Sequence, residues 1–298
     1  MLASICLLLA LPGVAQAKGP DASAAATGVS LSLGKGGGHR DVLDQVNVSG
    51  LVVNGAGEQV TVTVSADNRK LFDKTLTPKV NGTFEFGFAV KACCQYVIEA
   101  KTTGGQVGTA SFTADVPKHL RKGKLARLFN RSLQAQGFHT GTNGGRVNRG
   151  THLAIKAFRK VNHMRWSEAY RPSIFRTLLR GEGAFEPRFD DGKHVEVDIS
   201  RQVMALVQGG RATHTFHVST GTGGTPTVQG NFRFYRKEPG YNSHQMYFSV
   251  YFIGGYATHG YASVPNHNAS HGCVRNPILF SRFIYNWIDL GDPMHTYS

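Results

Sequence analysis

Ser270-His271-Gly272-Cys273-Val274-Arg275-Asn276 is the stretch around which the chain is read. A cysteine directly follows His-Gly, and a second histidine lies upstream in Thr258-His259-Gly260. Acyl transfer by a thiol requires a nucleophile, a base and donors for an oxyanion. Cys273 can supply the sulfur, and His259 or His271 the imidazole. Gly272 has no side chain, so a carbonyl can approach the backbone N–H groups around Cys273. Downstream, Asn276 reads as a helix N-cap and Pro277 as a first helical residue. Leu279, Phe280, Phe283, Ile284, Trp287 and Ile288 then recur at helical spacing before Gly291. A helix N-terminus near Cys273, together with Arg275, is expected to favour the thiolate, the helix making the smaller contribution.

Here the residues resemble a known family. Ser-His-Gly-Cys-Val-Arg with an upstream His-Gly looks like the signature of the L,D-transpeptidase catalytic domain, which cross-links bacterial peptidoglycan. His194-Val195-Glu196-Val197-Asp198, Val218-Ser219-Thr220-Gly221, Thr225-Pro226-Thr227 and Gly230-Asn231-Phe232-Arg233-Phe234-Tyr235 resemble the segments that precede that signature. His259-Gly260-Tyr261-Ala262-Ser263-Val264-Pro265, running into Ala269-Ser270, is similar to an actinobacterial-type branch. The resemblance covers about 190–298. It implies Cys273 as nucleophile and His259 as base, with Gly260, His271 and Gly272 supporting the site or its oxyanion pocket. Ser270, Tyr261 and Arg275 are the residues expected to meet substrate. It implies no metal and no organic cofactor. A zinc reading of His259, His271 and Cys273 is the competing one. The implied partners are peptidoglycan stem peptides and glycan, with the chain acting as a monomer.

Composition fits this setting. Lys+Arg 33 against Asp+Glu 19 gives +14, which suits anionic cell-wall polymers as well as simple solubility. Nucleic acid is not expected, because the basic run Lys118 to Lys124 lacks aromatic or groove-reading context. Residues 1–17 carry a short apolar core, Leu7 to Leu11, and an Ala15-Gln16-Ala17 cleavage pattern, which reads as a signal peptide and hence export to the cell envelope. The run is shorter than the ~20 apolar residues of a spanning helix, so no membrane span is expected in the mature chain. With 4 cysteines and no C-x-x-C pattern, a metal framework is not indicated. Adjacent Cys93 and Cys94 are not expected to pair with each other.

Three units are expected, mainly β. Residues 18–43, rich in Gly, Ala and Ser, read as a flexible linker. Over 44–117, Val60, Val62 and Val64 alternate, Asn81-Gly82 marks a turn, and Phe84, Phe86 and Phe88 alternate again, which suggests a small immunoglobulin-like β-sandwich. Over 118–185, two helical stripes flank a polar turn; one runs through Leu125, Leu128, Phe129 and Leu133, the other through Thr151, Ala154, Ile155 and Phe158. This unit looks like a three-helix peptidoglycan-binding domain. The catalytic domain over 190–298 is expected to be a β-sandwich-like fold with one C-terminal helix. Hydrolysis of the same thioester, as in an L,D-carboxypeptidase or endopeptidase, is one alternative. A non-catalytic wall-binding protein is the other, and intact Cys273, His259 and Arg275 speak against it. The remaining histidines, among them His139, His217 and His244, read as surface or packing residues; Tyr241, Tyr247, Tyr256 and Tyr261 are candidates for the cleft wall.

Overall fold

The computed structural model describes residues 28–34, 38–54, 57–120, 122–141 and 144–298. The signal-peptide expectation for 1–17 lies outside them. No helix among the described residues is long and apolar enough to cross a membrane.

The N-terminal unit is β-rich. One sheet runs in the order β1-β3-β6, from Val29–Leu33, Gln45–Val52 and Thr83–Ala89. The other runs β2-β8-β7-β4-β5, from His39–Asp41, Val107–Asp115, Cys94–Thr102, Val60–Ala66 and Arg69–Leu76. Strict alternation buries Val46 and Val48 on one sheet and Val60, Val62 and Val64 on the other, in one shared core. Phe88 bridges the sheets, its ring 6.1 Å from that of Tyr96 and 6.3 Å from that of Phe112. The expected linker over 18–43 is corrected in part: Val29-Ser30-Leu31-Ser32-Leu33 pairs antiparallel with β3, and His39–Asp41 pairs parallel with β8. Glycine-rich composition masked a period-two pattern there. Cys93 and Cys94 are free thiols at the edge of this unit, Cys93 buried and Cys94 half-buried.

Three helices follow, α1 (Lys124–Ala135), α2 (Arg149–Val161) and α3 (Pro172–Leu179). α2 starts on a capping box: Asn148 Oδ1 accepts the Thr151 N–H at 3.0 Å, and Thr151 Oγ1 accepts the Asn148 N–H at 3.3 Å. The unit is tied to the β-rich region by Arg176, whose Nε and Nη2 each donate to Asp115 at 2.8 Å. That pair holds the Asp115 carboxyl below its usual range.

The C-terminal region is built on an open sheet in the order β11-β10-β9-β17-β12. Its strands are β9 (His194–Asp198), β10 (Val203–Gln208), β11 (Arg211–His217), β12 (Gly230–Arg233) and β17 (Pro293–Tyr297). A second sheet, β13-β14-β15-β16, comprises Arg236–Tyr241, Tyr247–Ile253, Tyr256–Tyr261 and Val274–Pro277, and α4 (Ile278–Trp287) lies against it. β10 shows how the units join. Val203, Ala205 and Val207 face a core that includes Phe138, Ile155 and Phe158 of the helical unit, whereas Met204 and Leu206 face the core with Val195, Phe216 and Ile284. A strand covered on both faces reads as an unbroken apolar run, here Val203-Met204-Ala205-Leu206-Val207.

One local expectation is corrected. Asn276 does not cap a helix: it lies in β16, paired in parallel with Gly260 of β15, and α4 begins at Ile278 with Pro277 at the cap position. The side chain of Asn276 is buried. It donates to Thr258 Oγ1 at 3.1 Å and accepts the Ser281 hydroxyl at 2.7 Å, locking β15, β16 and α4 together. Within α4, Phe280 and Ile284 are buried, while Leu279 lies well exposed.

Candidate active site

Two adjacent parallel strands, β15 and β16, bring the candidate site residues together. The β15–β16 register places Thr258 opposite Val274 and His259 opposite Arg275, with Cys273 immediately before β16. Cys273, His259, His271 and Arg275 open onto one cavity of about 440 Å³, joined by Tyr256 and Tyr261. The proximity of Cys273 and His259 in space thus comes from strand pairing rather than from their separation in sequence.

His259 is only 3 % exposed. Its Nδ1 lies 2.9 Å from the Gly260 carbonyl oxygen. Nδ1–H must donate to that acceptor, so Nε2 keeps its lone pair, the tautomer a general base needs. Burial pushes the imidazole down to about 4; the Gly260 carbonyl opposes that and the Arg275 charge adds to it. His259 is therefore neutral at pH 7. Burial also pushes the Cys273 thiol up, against smaller lowering contributions from the Ala257 backbone and from Arg275. The resting pair is thiol and neutral imidazole. Thiolate stabilisation by a nearby helix end is thus corrected: the helix begins beyond a strand, and desolvation outweighs the charge of Arg275.

The loop from 270 to 273 is held from within. Ser270 Oγ donates to the Cys273 carbonyl at 2.6 Å and accepts the Gly272 N–H at 3.2 Å. Ser270, expected among the substrate-binding groups, therefore spends its hydroxyl on the shape of the loop. Gly272 has φ of +110°, and a Cβ there would run into the Tyr256 ring, so only glycine fits. Its carbonyl accepts Thr227 Oγ1 at 2.9 Å. A Cβ on Gly260 would overlap the Ser281 hydroxyl. His271 is exposed at the cavity wall. Tyr261 stands edge-on to His259, with ring centroids 5.8 Å apart, and carries the Arg275 guanidinium 4.1 Å from its ring centroid. Arg275 is thus aimed along an aromatic wall of the cavity.

His244 and Met246 also line the cavity, which sequence reading missed for both. They come from the turn between β13 and β14, where Asn242 Oδ1 accepts the N–H groups of His244 and Met246 at 3.0 Å each. The Asn-Ser pair at 242–243 signals a turn, but nothing in the sequence ties that turn to Cys273. Of the four tyrosines considered for the cleft, Tyr256 and Tyr261 line it, whereas Tyr241 and Tyr247 pack on each other outside it, rings tilted by 40° with 4.5 Å between centroids. Among the described residues, the His, Cys, Asp and Glu ligand atoms that cluster within 4.8 Å belong to Asp67, Cys93 and Cys94, not to the cavity.

The segment 262–269, which leads from β15 towards Cys273 and β16, is fastened at several points. His217 Nε2 lies 2.9 Å from the Val264 carbonyl, Ser219 Oγ donates to the His267 carbonyl at 2.7 Å, and Asn268 Nδ2 donates to the Gly221 carbonyl at 2.9 Å. Asn266 Nδ2 reaches the Trp166 carbonyl of the helical unit at 3.2 Å. Behind His217, Lys160 Nζ of α2 lies 2.7 Å from Nδ1 and 3.1 Å from the Gln202 carbonyl. His217 is thus a working part of the scaffold rather than a packing residue.

Comparisons with known proteins identify the kind of domain in the C-terminal region. Residues 192–295 match the family model described as the L,D-transpeptidase catalytic domain, YkuD. Among solved structures, an L,D-transpeptidase from Xylanimonas cellulosilytica is 27% identical, with TM-score 0.54, over 61% of this chain and 97% of that one. An L,D-transpeptidase from Stackebrandtia nassauensis is 21% identical over 61% of this chain and 95% of that one, with TM-score 0.38. No curated protein matched. The C-terminal region, with His259 on β15 and Cys273 just before the paired β16, contains an L,D-transpeptidase catalytic domain.

Proposed function

We propose that the protein is an exported peptidoglycan L,D-transpeptidase working by a cysteine acyl-enzyme. The observation that carries this reading is His259, buried and tautomerically fixed by Gly260, sharing a cavity with the Cys273 thiol. The thiol attacks the carbonyl between the diamino acid and the terminal D-Ala of a tetrapeptide stem while Nε2 of His259 takes its proton. Backbone N–H groups around Gly272 and Cys273 hold the oxyanion; that of Gly272 rests on Ser270 Oγ before substrate arrives. The imidazolium gives its proton to the departing amine of D-Ala, and a thioester remains. The side-chain amine of a second stem then attacks the thioester, its proton passing through His259 to the sulfur as the thiol leaves. Arg275, presented along Tyr261, meets a stem carboxylate. The β-rich unit acts as a spacer, and the helical unit contacts the wall.

Mass spectrometry of the purified protein incubated with disaccharide-tetrapeptide tests this reading. A cross-linked dimer with loss of D-Ala, absent with Cys273→Ala, is the expected result. Release of D-Ala with tripeptide alone would assign hydrolysis instead, and no product from the wild-type protein would remove the enzymatic reading.

A further inference from the structure

A second cleft, separate from the cavity of Cys273, lies on the helical unit. Arg159, Arg165, Trp166, Ser167 and Arg171 line about 440 Å³ of it, within the roughly 300–1,000 Å³ of small-molecule sites. Its charge is one-sided. Arg159 is 5 % exposed, and its guanidinium donates to the carbonyls of Arg165 at 3.3 Å and Ala169 at 3.0 Å. Its Nε is buried with no partner. Among the described residues, none of the three arginines has a carboxylate within ion-pair distance. The one acid of this segment, Glu168, is already committed to Lys156, at 2.6 Å, and to Arg149. Burial and the nearby Arg171 charge both disfavour the charged form of Arg159, as they must where positive groups converge without a counter-ion. Buried charge of this kind is costly unless something neutralises it.

The cleft also has a neutral side. Trp166 contributes an indole, one of the surfaces on which sugar C–H groups pack, and Lys160 Nζ stands 4.5 Å from that ring's centroid. Ser167 Oγ accepts the Ala169 N–H at 3.1 Å, which leaves its own hydroxyl proton to donate. Guanidinium forks recognise carboxylate and phosphate oxygens in planar, paired geometry.

We propose that this cleft binds an anionic saccharide, its carboxylate or phosphodiester oxygens taken by Arg165 and Arg171 and its ring set against Trp166. The Trp166 carbonyl is the acceptor of Asn266, so an occupied cleft lies one hydrogen bond from the segment that joins the catalytic strands.

Calorimetry on the full chain carrying Cys273→Ala tests this binding without any acyl transfer, so its outcome leaves the catalytic reading untouched. The probes are a phosphomannan, whose hexoses are joined through phosphodiesters, a polygalacturonate and neutral dextran, each at low and high salt. Arg165 and Arg171 are exposed, so Arg165→Glu with Arg171→Glu leaves the core intact. Lys74→Glu with Lys101→Glu, on exposed sites of the β-rich unit, removes the same charge elsewhere. Binding of at least one anionic polymer, weakened about tenfold or more by the arginine pair and far less by the lysine pair, is expected. Binding of the phosphate polymer alone names phosphodiester as the anion; binding of the uronate alone names carboxylate. Equal loss in both double variants, equal binding of dextran, or no binding would overturn the proposal.

Discussion

Lys160 Nζ lies 2.7 Å from His217 Nδ1, inside the joint between helix α2 and the strand that leads into the active site. Because His217 Nε2 donates to the Val264 carbonyl, Nδ1 must accept from the amine. Burial, with Lys156 nearby, pushes Lys160 down to about 6. In the unfolded chain it returns to about 10.4, so between these values the unfolded state binds the extra proton and stability rises with pH, by at most about 1.4 kcal/mol per pH unit. Lys160→Met removes that slope and leaves the His217 and Gln202 acceptors unpaired, at about 1–3 kcal/mol each. The substitution is therefore expected to be destabilising at pH 9 and to become progressively less so as pH falls towards 6. Urea denaturation of both proteins at several pH values measures this, and a difference independent of pH would contradict it.

In the proposed mechanism the pH dependence of catalysis follows from His259, which would lose its base function only when protonated. With its pKa near 4, the acid limb of kcat/KM is expected close to pH 4 rather than near the usual histidine value. The same shift makes stability fall as pH drops from the ordinary histidine value towards 4, because the unfolded imidazole binds a proton that the folded one refuses. Arg275→Met removes a charge that lowers both His259 and Cys273. The acid limb should then move to higher pH, and the thiolate absorbance assigned by difference with Cys273→Ala should titrate later than in the wild type.

Gly260 and Ser281 cannot both carry side chains in their present places. Gly260→Ala is expected to cost about 1–3 kcal/mol through overpacking and to lower kcat/KM by displacing His259. Ser281→Gly in the same chain should recover part of that stability despite losing the bond to Asn276. A double-mutant cycle in thermal or urea unfolding reads the coupling, and strict additivity would show that the two positions do not meet.

Ser270→Ala removes the 2.6 Å bond to the Cys273 carbonyl and the acceptor of the Gly272 N–H. The expected loss is about 1–2 kcal/mol of stability, with a larger relative fall in kcat than in KM, since the group shapes the loop around the nucleophile. A change confined to KM would instead place the hydroxyl on the substrate.

Much of this was legible in the chain. Cys273 and His259 stood out because two reactive residue types lay close together among glycines, and the alternating valines and phenylalanines of 44–117 are strands. The failures have physical causes. Asn276 carries the local mark of a cap, but its partner is Gly260 in β15, and parallel pairing leaves no local signature. Val29–Leu33 alternates as a strand should, yet lies among glycines that favoured a linker reading. His244 enters the cavity on a hairpin whose turn is visible but whose direction is set by tertiary packing. Lys160, a charged residue on a helix, gave no sign that it would be wholly buried.

The core shared by the β-rich unit, the three helices and the outer face of β10 has a mechanical consequence. Domains on slack tethers let a nucleophile sweep a volume, and gripping one of them fixes only a radius. Here Val203, Ala205 and Val207 are packed into the same apolar mass as Phe138 and Phe158, so the helical unit and the C-terminal sheet turn as one lever. Holding the helical unit therefore sets the heading of the Cys273 cavity as well as its reach.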